Sequence, residues 1–348
     1  MSISTRQQVM KILVVRNDKL GDFMLAWPCF QALKQAFPES RVVALVPNYT
    51  RPIAELCPWI DEILTDPTEA AGKEGFNSLL KQVKVEHYDL LLTLFSTTRI
   101  GLLGFRAGIP VRWAPATKLA QLFYNRRLKQ RRSQSQQPEY AYNLDLTQAA
   151  IEDCGGRYKS PEGPYLRVDA EMLTELRQEF LNAKDLAPST RLIFIHSGHG
   201  GSANNLSLAQ YAELARKIAR PDSCFILTAG PGELEATRTL AALLDAEGIS
   251  QRIFSSTEGL QHFAQQLALA DLFIAGSTGT LHIAGALDRP TVGFYPNRRS
   301  STPLRWRTLN GVGRTLAITP PSEIEQDMSQ VDIGAAAKAI SAFIDEVW

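Results

Sequence analysis

Short apolar runs rich in β-branched residues, each followed by a polar turn and an amphipathic stretch, recur along this chain and restrict it to one fold class. Residues 11–16 (Lys-Ile-Leu-Val-Val-Arg) form the first; 41–46, 88–94 and a shorter run at 109–112 follow, and a second series lies at 191–196, 223–228, 271–275 and 291–295. Runs of that length bounded by turn residues read as buried strands, and strands alternating with helices imply parallel sheets covered on both faces. Phe23, Trp27, Phe30, Leu33, Ala36 and Phe37 fall at three- and four-residue spacings, which predicts a helix over 22–37 that stops before Pro38. Further helices are predicted over 139–153, over 170–183 and from near Ser207, whereas the polar, Gln- and Arg-rich residues 125–138 read as a mobile surface loop.

At 348 residues the chain exceeds what one core usually organises. Two α/β domains are expected, 1–165 and 166–348, with the C-terminal helix able to pack back on the first. No fixed-period repeat relates them, so they share architecture rather than sequence. The amino terminus has no apolar stretch long enough for export or anchoring, which points to a cytoplasmic protein. The four cysteines, Cys29, Cys57, Cys154 and Cys224, show neither metal-ligand spacing nor a disulfide framework and read as reduced and structural. Net charge is +1, yet residues 90–138 carry nine Lys or Arg and no Asp or Glu. Such a field suits nucleic acid, an anionic membrane or a phosphorylated substrate, although solvated basic loops without a partner also occur.

In open parallel sheets ligands bind beyond the carboxyl ends of the strands, and four loops there carry candidate chemistry. Leu20-Gly21-Asp22 closes the loop after the first strand; Asp22 can cap a helix or act on a substrate. Residues 196–205 (His-Ser-Gly-His-Gly-Gly-Ser-Ala-Asn-Asn) place Ser197, Gly198, Gly200, Gly201, Asn204 and Asn205 where backbone N–H groups can wrap phosphate oxygens, without matching the P-loop or G-x-G-x-x-G patterns. Residues 275–285 offer the hydroxyls of Ser277, Thr278 and Thr280, the backbone at Gly279 and Thr280 of a helix start suited to a diphosphate, and His282, which can equally be a packed core residue. The turn at Gly230 supplies Glu233 and Glu235, either of which can accept from ribose hydroxyls or simply favour a helix dipole.

Together these loops resemble glycosyltransferase family 9, the heptosyltransferases of the lipopolysaccharide inner core. The anchors are residues 11–28 (KILVVRNDKLGDFMLAWP), 196–211 and 273–296 (FIAGSTGTLHIAGALDRPTVGFYP). The resemblance implies a GT-B architecture, two Rossmann-like domains with parallel sheets facing a central cleft. It implies inverting transfer of heptose from ADP-heptose to a phosphorylated lipopolysaccharide core acceptor, without metal or cofactor. Asp22 would be the general base, and the loops around Ser197, Gly230 and Thr278 would hold the donor. Lys19 and Gly21, with Arg99, Arg106, Arg112, Arg126 and Arg127 of the acid-free stretch, would meet the acceptor. Trp113, Phe123 and Tyr124 would lie at the interface with the cytoplasmic face of the inner membrane, where the protein would be peripheral.

The chain departs from the family's pattern in two places. Asn204-Asn205 stands where many members carry a Lys or Arg, and Ser277 where the heptosyltransferases often have Asp. Neutral amides can bind phosphate but add no charge, so the donor's identity stays open. Competing readings are the same fold with another nucleotide-sugar, a nucleotide-sugar epimerase, and a noncatalytic nucleotide-sugar binder. A nucleic-acid-binding protein would need stacking platforms or a recognisable module, and neither is evident.

Overall fold

The computed structural model of the chain describes residues 9–117, 119–198, 204–256, 258–321 and 326–348. The chain divides into two compact units, Met1–Arg131 with Glu139–Glu162, and Arg132–Pro138 with Gly163–Trp348. The short segment Arg132–Pro138 thus belongs to the second unit although first-unit chain precedes and follows it.

The first unit contains, in order, β1 (Lys11–Val15), α1 (Leu20–Met24), α2 (Trp27–Ala36), β2 (Arg41–Pro47), α3 (Arg51–Ala54), β3 (Glu62–Asp66), α4 (Gly72–Glu86), β4 (Leu90–Thr93), α5 (Thr98–Arg106), β5 (Val111–Pro115), β6 (Arg126–Leu128) and α6 (Glu139–Asp153). Its strands lie in the order β3-β2-β1-β4-β5-β6, every adjacent pair parallel. The central strands are apolar on both faces because helices cover both: Ile12, Leu13, Val14 and Val15 of β1 and Leu90, Leu91 and Leu92 of β4 are all fully buried.

The predicted single helix over 22–37 is two helices. α1 ends at Met24 and α2 begins at Trp27 with Pro28 in its first turn, where the missing N–H of proline leaves no helical bond unmade. The break frees the carbonyl of Leu25, which accepts from Nδ2 of buried Asn143 on α6. Sequence periodicity sees the apolar face common to both helices and not the interruption. The stretch read as a mobile loop, 125–138, also differs: Arg126–Leu128 is an edge strand paired with β5, and Arg132–Gln134 is a 3-10 turn. An edge strand needs only backbone partners on one side, so its polar side chains gave no strand signal.

The second unit contains α7 (Ala170–Ala183), β7 (Arg191–His196), α8 (Leu208–Ile218), β8 (Ser223–Ala229), α9 (Leu234–Ala246), β9 (Gln251–Ser255), α10 (Leu260–Leu267), β10 (Leu272–Gly276), α11 (Gly279–Ala286), β11 (Thr291–Phe294), β12 (Thr315–Ile318) and α12 (Ile333–Val347). The strand order β12-β11-β10-β7-β8-β9 repeats the topology of the first unit, again all parallel. In each unit the first strand lies beside the fourth, so the order reverses between β1 and β4 and between β7 and β10. α8 starts on a capping box in which Ser207 and Gln210 bond reciprocally. The C-terminal α12 packs on α8 through Ile333, Ala336, Ala337, Ile340 and Ile344, which join the core of this second unit.

Candidate active site

Where strand order reverses in an open parallel sheet, the loops leaving two neighbouring strands turn to opposite faces and open a crevice at the carboxyl end. In the first unit those loops follow β1 and β4. The β1 loop runs through Arg16, Asn17, Asp18 and Lys19 into α1, whose N-cap, exposed Lys19, makes no side-chain cap. Asp22 therefore does not cap α1; its Oδ1 accepts from Nη2 of Arg16. Gly21 is buried inside the same turn.

Arg16 is 2% exposed and central to this loop. Its Nε donates to Asp18 Oδ1 (2.8 Å), and its Nη1 donates to Glu139 Oε1 (3.0 Å) and Asn143 Oδ1 (3.2 Å), both on α6. Its guanidinium lies 5.8 Å from the ring of Phe95, an exposed aromatic just past β4. Burial pushes the Asp22 carboxyl up to about 6; the carboxylates of Asp18 and Glu139 act in the same direction, while Arg16 pulls the other way. Asp22 is thus ionised at neutral pH yet a stronger proton acceptor than an ordinary aspartate, and its side chain keeps 13% of its surface open. The β1 loop is held from a second side by Asp66 at the end of β3, which accepts from Asn17 and pairs with both terminal nitrogens of Arg99 (3.0 and 2.8 Å).

The arginines expected at the acceptor separate into two groups. Arg99 is bound to Asp66, Arg112 donates to the carbonyls of Phe123 and Ile109, and Arg126 pairs with Asp153 at 2.9 Å, so these three brace the first unit. Arg106 and Arg127 are exposed, and so is Arg126, whose pair with Asp153 lies at the surface. Trp113 and Tyr124, expected at a membrane interface, are instead buried, with the Trp113 indole donating to Asp153. Besides Phe95, the large apolar side chains exposed among the described residues of 90–138 are Phe105 (57% exposed), Leu119 (75%) and Leu122 (74%).

In the second unit the loops at the reversal follow β7 and β10. His196 ends β7 buried, with Nδ1 2.9 Å from Thr228 Oγ1 and Nε2 3.6 Å from Glu233 Oε2; burial lowers its basicity, against the pull of Glu233. Glu233 Oε2 also accepts from the N–H of Gly230 (2.9 Å), and its carboxylate lies directly over Gly198, where an added Cβ would fall 2.1 Å from it. Glu235 is exposed in the first turn of α9. Gly200 and Gly201 lie outside the described residues.

Asn205 locks this loop. Nδ2 donates to the Ser197 carbonyl (2.9 Å), and Oδ1 accepts from Leu206 N (2.9 Å) and the Tyr211 hydroxyl (2.7 Å). A Cβ at Gly276 would come within 2.7 Å of that same oxygen, so glycine permits the β7 and β10 loops to meet. Asn204 donates to the Gln326 carbonyl at 3.0 Å. Both asparagines donate within the chain, Asn204 from an exposed side chain whose second amide hydrogen is not used in that bond.

After β10, the Ser277 backbone bonds to Phe294 and Thr278 is the N-cap of α11. The Thr278 hydroxyl bonds to that of Thr280 (2.9 Å) rather than capping the helix, leaving the first-turn N–H groups, with Gly279 at the helix start, without a side-chain cap. His282 is buried on α11, its Nδ1 has no hydrogen-bond partner among the described residues, and burial holds its pKa down to about 4. Sequence reasoning missed Arg16 as a site residue, along with Glu139, Asn143 and Asp66. The one available signal was a charged residue closing the apolar run of β1. No spacing rule reaches Glu139, 123 positions further along.

The profile of glycosyltransferase family 9 (heptosyltransferase) matches residues 76–329. A glycosyltransferase assigned in Haemophilus influenzae, whose name gives neither donor nor acceptor, is 43% identical, covering 97% of this chain and 98% of its own length. The lipopolysaccharide heptosyltransferase 2 of Salmonella typhimurium is 24% identical over 84% of this chain and 85% of its own. Among solved structures, a family 9 glycosyltransferase of Veillonella parvula superposes with a TM-score of 0.78 at 18% identity, covering 97% of both chains. The Escherichia coli ADP-heptose lipopolysaccharide heptosyltransferase II does so with 0.75 at 18% identity, covering 97% of this chain and 99% of that one. The chain belongs to glycosyltransferase family 9 and is a glycosyltransferase of GT-B fold.

Proposed function

We propose that this glycosyltransferase moves heptose from ADP-heptose to a phosphorylated lipopolysaccharide core acceptor, with inversion and without metal, and that Asp22 is its general base. The observation that carries the reading is the state of Asp22: a carboxylate at the sheet's reversal point, one oxygen held by Arg16 and a pKa raised to about 6. In the transfer, the acceptor hydroxyl oxygen attacks the anomeric carbon while its proton passes to Asp22. The bond from that carbon to the diphosphate breaks on the opposite face, and ADP leaves with the electron pair. The uncapped N–H groups at the start of α11 and the glycine turns at Gly198 and Gly230 suit the diphosphate. Glu233, above those glycines, suits the ribose hydroxyls.

Exposed Phe105, Leu119 and Leu122, together with exposed Arg106 and Arg127 of the same acid-free stretch, support a peripheral place on an anionic membrane from which a lipid-linked acceptor is presented. Among the described residues no helix is long and apolar enough to cross a membrane.

Asn204 and Asn205 favour a second reading, the same reaction with another nucleotide-sugar, because their amides bond within the chain and bring no positive charge to a diphosphate. The deciding experiment is nucleotide release from ADP-heptose and from a panel of other nucleotide-sugars, with truncated core acceptors and EDTA present. Acceptor-dependent ADP release that survives EDTA and is lost in Asp22→Asn supports the heptose reading. Release from another donor alone replaces it, and donor binding without release would mark a noncatalytic binder.

A further inference from the structure

Arg16 is among the largest fully buried side chains of the protein, and a buried guanidinium persists only where partners fill its fork. All three of its nitrogens are engaged: Nε by Asp18, Nη1 by Glu139 and Asn143, and Nη2 by Asp22. Two of those partners sit on α6, far along the chain, and Asn143 also bonds the Leu25 carbonyl where α1 gives way to α2. The guanidinium is therefore fixed from behind by a helix, and the helix is fixed to the break that follows α1.

We propose that Arg16 is a positioning residue for the transfer reaction: held by Glu139 and Asn143, it pins Oδ1 of Asp22 so that the acceptor's proton is taken on Oδ2. The inference rests on the reading of Asp22 as base. An unpinned carboxylate rotates, and misplacement of a reacting group by about 1 Å costs on the order of 100-fold in rate. The charged and titratable groups facing Asp22 are Arg16 and Asp18 from its own loop, Glu139 from α6, and Tyr49 from the turn after β2, whose hydroxyl bonds the Asp18 carbonyl. Arg16 lowers the proton affinity of Asp22, whereas Asp18 and Glu139 raise it.

Lysine keeps a positive charge but lacks the planar fork. Arg16→Lys should therefore lower kcat by about 100-fold with the donor KM unchanged. Arg16→Met should move the acid limb of the kcat–pH profile to higher pH, because the charge that lowers the Asp22 pKa is gone. Glu139→Gln, nearly isosteric and the variant of choice if Arg16 variants fold poorly, should move the limb to lower pH. Rates are referred to the folded fraction from thermal melts, since a purely structural role would lower Tm without moving the limb. Native kcat in Arg16→Lys, or an unmoved limb in Glu139→Gln, overturns the proposal. Asp22→Asn is carried alongside: if it turns over at the native rate, the reading of the base itself fails, whereas an inactive Asp22→Asn beside native-like Arg16 and Glu139 variants sinks the positioning role alone.

Discussion

Asp22 and His282 are both buried and titratable, and burial acts on them in opposite directions. Burial raises the carboxyl to about 6, so kcat should climb about tenfold per pH unit below that value and level off above it. A pH series with saturating donor and acceptor checks this, and a flat profile down to pH 5 would remove Asp22 as the rate-limiting base. His282 is held neutral, with a pKa near 4 against 6.5 unperturbed. The unfolded chain then binds the extra proton first as pH falls, so stability present above about 6.5 is lost toward 4, on the order of 2 kcal/mol by pH 5. His282→Leu should lose less stability than the native chain between pH 7 and pH 5 in urea denaturation, whatever its absolute stability. Asp22 was legible in the sequence from the Leu-Gly-Asp turn after a strand. Arg16 was legible only as part of a strand, because its role depends on partners that the fold, and not the local chain, brings to it.

Strands with unbroken apolar runs, such as β1, β2, β4, β7 and β10, could be read directly, since burial on both faces leaves a continuous signature. β6 could not: Arg126, Arg127 and Leu128 pair along one edge, where hydrogen bonding rather than side-chain burial defines the element. The loop after β7 shows the same limit at its asparagines. Sequence offers Asn204 and Asn205 as phosphate ligands, whereas the structure makes Asn205 the clasp between Ser197, Leu206 and Tyr211. Asn205→Ala would leave the Tyr211 hydroxyl and the Leu206 N–H without this acceptor, at about 1–3 kcal/mol for each buried group left unsatisfied. Calorimetry should show a lower Tm together with a raised donor KM; a change in KM with unchanged Tm would return Asn205 to direct phosphate binding. Gly198→Ala, whose Cβ would collide with the Glu233 carboxylate, should weaken donor binding at least tenfold by isothermal titration with ADP, a loss of about 1.4 kcal/mol.

The whole molecule builds one topology twice from sequences that share no repeat, since each unit needs only the period of its strands and helices and not particular residues. The loops that differ give the two units different chemistry, a buried ionic cluster in one and glycine-lined helix starts in the other. The exposed trio Phe105, Leu119 and Leu122 belongs at this scale, because its proposed partner is a surface rather than a ligand. Leu119→Ser with Leu122→Ser should reduce cosedimentation with phosphatidylglycerol vesicles several-fold, while activity on a delipidated core acceptor stays within about twofold. Equal sedimentation of native and variant chains would dismiss the membrane role of these leucines.

The excursion of Arg132–Pro138 into the second unit governs how the gene can be cut. Its anchors are the Ser135 hydroxyl on the Arg299 carbonyl and the Arg305 guanidinium on the Arg132 carbonyl. A chimera spliced once, after Glu162, would set one parent's residues 132–138 against the other parent's counterparts of Arg299 and Arg305. Family members exchanged by such a single crossover should therefore express poorly, and restoring the matching heptapeptide should rescue them.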